Sequence, residues 1–382
     1  MYKNLFLTML VLTLTSCQVQ RKSISVEYLN DGIYNQNIPG DIIKNKKIHS
    51  PYIDDIQFAI LDSISFVDKN PNRMQMHTTP VQLNFNKNIK KYSGEYYSIY
   101  TVYNIDRAIN YYNKIFDNKI DFNSQEDYKN ISVLYGDIPL LTSPKEFIIE
   151  PGTNPSPSLF YHETGHRAFW YLQDDLNIKF GGLTYIHMGL LEYFTVSLNN
   201  SPIVGEGFLP ENLIRDASKL CTYPPADSLY IGTFFDKLKE AYADRLDNRQ
   251  SNISKYYYLS TSKYQKYFDT VLDNHRAGLI ITSTLWRIRQ KLGQDKTDKL
   301  VAQTILGLNS YFDKRNEFYL TDKDEELPSK IEWYDLYYGL IDTDKTLNNG
   351  ENITLLEKEF KTTGFPAGKV KSTDYPSTKN SN

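Results

Sequence analysis

His162-Glu163-Thr164-Gly165-His166 constrains this chain more than any other stretch. Leu159-Phe160-Tyr161 precede it and Ala168-Phe169-Trp170 follow, so it lies in an apolar run that reads as a buried helix. On a helix, residues i and i+4 share a face, so both imidazoles address one point in space, as a metal ion requires. Glu163 sits one step round the helix, where a carboxylate can take a proton from an activated water. Just upstream, Asn154-Pro155-Ser156-Pro157 is a breaker followed by a helix start: Ser156 can cap, and Pro157 fits the first turn. Six histidines occur among 382 residues, which argues against a chance match. The bland alternative is a core helix carrying two hydrogen-bonded histidines, and the rest of the chain argues against it.

The amino-terminal residues read as a leader, with Lys3 in a short basic region and Leu5–Leu12 as an apolar stretch too short to span a bilayer convincingly. Leu14-Thr15-Ser16-Cys17 resembles a bacterial lipobox, which implies cleavage before Cys17 and lipidation of its thiol. A plain secretory leader is the alternative. Gln18 after that cysteine is not the Asp associated with inner-membrane retention, which favours the outer membrane in a host that has two. Cys221 is the one remaining cysteine, so a lipidated chain has no internal disulfide to form. The formal net charge is −3 and no basic patch or nucleic-acid motif occurs, so no nucleic-acid partner is expected.

The organisation expected from these patterns is a leader at 1–16, a lipidated Cys17 with a polar tether to 23, a region of unreadable role at 24–96, a main domain at 97–365, and a disordered tail at 366–382. Strand-like runs are Ile56–Leu61, Val81–Phe85, Ile131–Gly136 and Glu146–Glu150. Helical periodicity marks Tyr97–Ile115, then Met188–Leu198, Thr233–Leu246, Ser262–Leu272, Ala277–Leu292, Thr297–Leu308, Lys330–Ile341 and Thr354–Thr362. A mixed first half feeding a helical second half gives an α+β fold with two lobes meeting near 157–200.

Three further segments follow the motif in an order similar to the thermolysin-like and fungalysin-like zinc metallopeptidases, the gluzincins. His187-Met188-Gly189-Leu190-Leu191-Glu192-Tyr193-Phe194 resembles the family's second metal helix. Leu213-Ile214-Arg215-Asp216, with Tyr223-Pro224 after it, resembles the segment whose Arg binds the substrate carbonyl. Asp273-Asn274-His275-Arg276-Ala277-Gly278-Leu279-Ile280 is similar to the helix whose His stabilises the oxyanion. Leu356 to Gly364 looks like the closing helix and its cap. The resemblance spans about Tyr97 to Phe365 and implies a strand-containing lobe, a helical lobe, bound zinc and a peptide or protein substrate.

The pattern departs from the family at the third ligand. Gly189, Tyr193 and Phe194 set a register in which Met188 stands where the family has its zinc-binding Glu. A thioether is a soft, uncharged and poor partner for zinc beside imidazoles. Three readings stay open: Glu192 reaches the metal from one turn away, about 5.4 Å of rise; His187 turns in; or the site is degraded. The first gives His162, His166 and Glu192 as ligands, Glu163 as general base, His275 as oxyanion donor and Arg215 as substrate-binding residue. The implied activity is a membrane-anchored extracytoplasmic zinc endopeptidase. Its alternatives are a pseudo-peptidase lipoprotein that binds peptides or envelope polymer in the same cleft, and a metal-dependent hydrolase of another amide or ester.

Overall fold

A computed structural model describes residues 24–26, 36–38, 43–44, 47–66, 74–85, 89–90, 92–136, 142–150, 152–153, 155–180, 185–206, 214–221, 262–319 and 333–363. The leader, Cys17, the tether, Leu213, Tyr223-Pro224, the Thr233–Leu246 helix and the tail lie outside the described residues.

The fold is α+β. Short strands β1 (Ile24–Val26) and β2 (Gln36–Ile38) pair antiparallel, as do β3 (Ile43–Lys44) and β4 (Lys47–Ile48). Four longer strands then build one mixed sheet: β5 (Asp55–Phe66), β6 (Met74–Pro80), β7 (Asn130–Tyr135) and β8 (Glu146–Ile149), in the order β6-β5-β7-β8. β5 and β6 are antiparallel, whereas β5 with β7 and β7 with β8 are parallel, Phe58 opposite Val133 and Val133 opposite Phe147. Residues 55–66, from a region whose role is unreadable in the sequence, thus supply a central strand of that sheet. Val81–Phe85 is no strand: pairing ends at Pro80, the Val81 N–H makes a last bond to the Phe58 carbonyl at 2.9 Å, and the chain then leaves the sheet.

Parallel neighbours require a crossover. Between β5 and β7 it includes α1 (Gly94–Ile115), which starts at Ser93, whose side chain accepts from the Tyr96 N–H. Tyr97, Ile105, Ile109 and Tyr112 fall on its buried face. The motif helix α2 (Pro157–Asp174) begins with Pro157 in its first turn and Ser156 as cap, accepting from the Ser158 N–H. α3 (Tyr185–Asn199) follows, then a small hairpin of β9 (Ile203–Val204) and β10 (Arg215–Asp216).

The remaining helices are α4 (Ser262–Leu292), α5 (Gln294–Tyr319), α6 (Trp333–Asn348) and α7 (Ile353–Thr362). α4 is continuous where the sequence reads as two helices: no proline or glycine stops it at Asp273-Asn274. One large apolar cluster joins α1 to the later helices through Tyr112, Phe169, Phe194, Ile281, Ile305 and Leu340. Buried Asp298 on α5 ties three helices together, accepting from Tyr193 at 2.6 Å, Ser197 at 2.7 Å and Tyr111 at 2.8 Å. Among the described residues no helix is long and apolar enough to cross a membrane.

Candidate metal centre

Two glycine contacts position the site. A β-carbon on Gly165 would lie 2.6 Å from the Tyr112 hydroxyl and 3.0 Å from Leu191, so α2 presses directly onto α1 and α3 at the motif. α3 and α4 cross still more closely: a β-carbon on Gly278 would lie 2.7 Å from the Gly189 amide nitrogen and 2.8 Å from the Tyr185 carbonyl. The Thr282 hydroxyl seals the crossing by donating to the Gly189 carbonyl at 2.9 Å. His275 lies about one turn before Gly278 on α4 and is thereby carried against α2.

There the imidazoles meet. His162 and His166 stand at one helical turn with ring centroids 4.9 Å apart. His275 stacks on His162, with Nε2 facing Nε2 at 3.4 Å. Ligand atoms of His162, His166 and His275 all lie within 4.8 Å of one another, and all three side chains are buried. Two nitrogens bound tetrahedrally at 2.0–2.1 Å are about 3.3–3.4 Å apart, so the His162–His275 separation suits one shared ion.

His166 turns Nδ1 to His187 Nε2 at 3.3 Å, so Nε2 is the ring nitrogen not engaged by His187. His162 Nδ1 is buried without a hydrogen-bond partner. Burial, and then the neighbouring His166 and His275 rings and Arg215, hold His162 well below the usual imidazole range; burial and Arg215 bring His166 down to about 3. Both are therefore neutral, the form that binds metal. Three buried histidines are thus positioned to hold a metal ion, and this chain's residues fit one.

The third member of the group differs from the expected Glu192. That carboxylate, fully buried on α3, is an ion pair with Arg215, Oε1 to Nε at 2.5 Å. Burial raises the Glu192 carboxyl to about 7 against the pull of Arg215. His275, expected to serve as an oxyanion donor, is the third of the histidines positioned to hold a metal ion. Met188 is buried beside the Gly189 crossing, and His187 faces His166 rather than the three-histidine point.

Glu163 is buried next to His162, its carboxyl pushed up to about 8 by burial and restrained by Arg215. The Arg215 guanidinium acts electrostatically on His162, Glu163, His166 and Glu192 alike. Sequence reasoning missed the His187–His166 contact and the place of His275 beside the two motif histidines. The available signal was the pair of glycines, one just after Met188 and one a turn after His275. No family model and no curated protein matches the chain.

Proposed function

We propose that this protein is a zinc-dependent peptidase held outside the cytoplasm by a lipid on Cys17. The observation that supports it is the convergence of three buried imidazoles beside the buried carboxylate of Glu163. His162, His166 and His275 hold the ion. When bound, zinc supplies Lewis acidity at a scissile carbonyl and makes water a stronger acid.

Glu163 accepts the proton of the attacking water and delivers it to the departing amine nitrogen. Burial raises its proton affinity while nearby positive charge lowers it, a balance that suits a group that must take and release a proton near neutral pH. Arg215, held by Glu192, brings a cation into the same buried space, where negative charge developing on a carbonyl oxygen is stabilised. The order of motif, α3, Arg215 and α4 supports a relation to the thermolysin-like plan, a sheet-bearing lobe and a helical lobe meeting at α2. This chain then differs in drawing its third ligand from α4 in place of an α3 carboxylate.

Metal content and digestion of a broad peptide library, each with and without chelator, test this reading. The expected result is stoichiometric zinc, cleavage abolished by chelator, and cleavage restored by added zinc. Peptide retained without cleavage and regardless of chelator would instead favour a lipoprotein that binds peptides or envelope polymer in the same cleft.

A further inference from the structure

We infer that His187 is the positioning residue of the metal centre: its Nε2 accepts the Nδ1 proton of His166 and so fixes the tautomer that frees His166 Nε2 as a ligand. The inference rests on the proposed metal site but not on peptidase activity.

His166 Nδ1 and His187 Nε2 are 3.3 Å apart, both residues are buried, and their rings are tilted at 33° with centroids 5.5 Å apart. One nitrogen of such a pair must donate and the other accept. If His166 donated to His187, its proton is on Nδ1 and Nε2 keeps its lone pair. In the opposite arrangement the proton sits on His166 Nε2 and removes the lone pair of the nitrogen that His187 leaves unengaged.

Packing holds the His187 ring in place. His187 is enclosed by Phe169, with centroids 5.0 Å apart, and Phe180, at 5.8 Å. Phe169 lies on α2 with the ligands, and Phe180 follows just after it, so the ring is gripped by the element it serves. A buried neighbour that orients a ligand imidazole is commonly a carboxylate or a backbone carbonyl. With His187 the ligand is oriented while no negative charge is added.

His187→Phe retains the aromatic packing and removes the acceptor; His187→Gln restores an acceptor oxygen at the reach of Nε2. Zinc affinity of the full chain, measured by competition with a chromophoric chelator, should fall about 10- to 100-fold in H187F and stay within about threefold of wild type in H187Q. Unchanged affinity in H187F, or equal losses in both variants, overturns the assignment and leaves His187 as packing. Should H187F fail to fold, nitrogen NMR of ¹⁵N-histidine-labelled, zinc-loaded wild type decides the matter. A proton on His166 Nδ1 with an unprotonated His187 Nε2 supports the inference, and a proton on His187 Nε2 overturns it. A wild type that takes no zinc removes the metal site itself, whereas zinc binding without peptide cleavage removes only the peptidase reading.

Discussion

A β-carbon on Gly189 would stand 2.5 Å from the carbonyl oxygen of Gly278, so α3 and α4 touch backbone to backbone at this pair. That contact determines how deeply His275, about one turn away, reaches towards His162. Gly278→Ala or Gly189→Ala has nowhere to put its methyl except by parting the helices, and Thr282 then loses its bond to the Gly189 carbonyl. Overpacking of this kind costs about 1–3 kcal/mol. Thermal unfolding should register that loss. Zinc affinity should fall with it, because the separation of His275 from His162 grows. A glycine variant that melts lower but binds zinc as tightly as wild type would show that the crossing serves packing alone.

His275→Ala separates the ligand role from the oxyanion role. Removing a ligand should strip zinc from the purified chain, by more than the roughly 10- to 100-fold loss typical of a supporting residue. An oxyanion donor would instead lower turnover about 10²- to 10³-fold with zinc content unchanged. Elemental analysis beside single-substrate kinetics distinguishes the two.

Much of the path to this site is written locally, and the part that is not is tertiary. Ser156, Pro157 and the apolar run around the motif specify where α2 begins and that it is buried, because cap, first-turn proline and periodicity are all short-range signals. The parallel strands β7 and β8 are legible as short apolar runs for the same reason. β6 is not: Thr78, Thr79 and Pro80 are exposed at the edge of the sheet, so no alternation betrays a strand. The third ligand is hidden for a different reason. Register within α3 directs attention to Met188 and Glu192, but the imidazole that joins the group is 113 residues from His162. Its placement depends on a helix crossing that only the two glycines hint at.

The Glu192–Arg215 pair gives a prediction opposite to that of a metal ligand. Both groups are buried, so removing one strands the other. Glu192→Ala should destabilise the fold by about 3–5 kcal/mol, the usual cost of a buried charge left alone. Zinc should nevertheless bind wherever the variant is folded. Glu192→Met with Arg215→Met should recover much of the stability, since neither charge then remains. Chemical denaturation of the two single variants and the double variant measures the coupling. Zinc lost from folded Glu192→Ala would put Glu192 among the ligands after all.

Asp106 on α1 sets a pH dependence of stability. Burial raises its carboxyl from 3.8 to about 6, opposed by the hydrogen bond donated by Ser50, at 2.5 Å, and by Arg167. Because the folded state binds the proton more tightly, this group's contribution is complete below about pH 4 and is lost as pH rises through about 6. The loss is on the order of 3 kcal/mol. Asp106→Asn keeps an acceptor for Ser50 without the charge. It should match wild type at pH 4 and exceed it in denaturant resistance at pH 8. Equal stability at pH 8 would show that Asp106 ionises in the fold without penalty.

Glu163→Gln tests the chemistry with least disturbance to the structure. The amide preserves the size of a buried side chain whose carboxyl burial has already pushed up to about 8, so folding should be unharmed or slightly improved. The three histidines are untouched, and zinc content should equal wild type. What disappears is the basic oxygen that takes a proton from water and returns it to the amine. Cleavage should fall by at least about 10²-fold, the low end of what a positioned acid–base group contributes. Peptide affinity, measured by equilibrium binding to the inactive variant, should persist. Near-wild-type cleavage in Glu163→Gln would assign the base elsewhere and remove the central step of the proposed reaction.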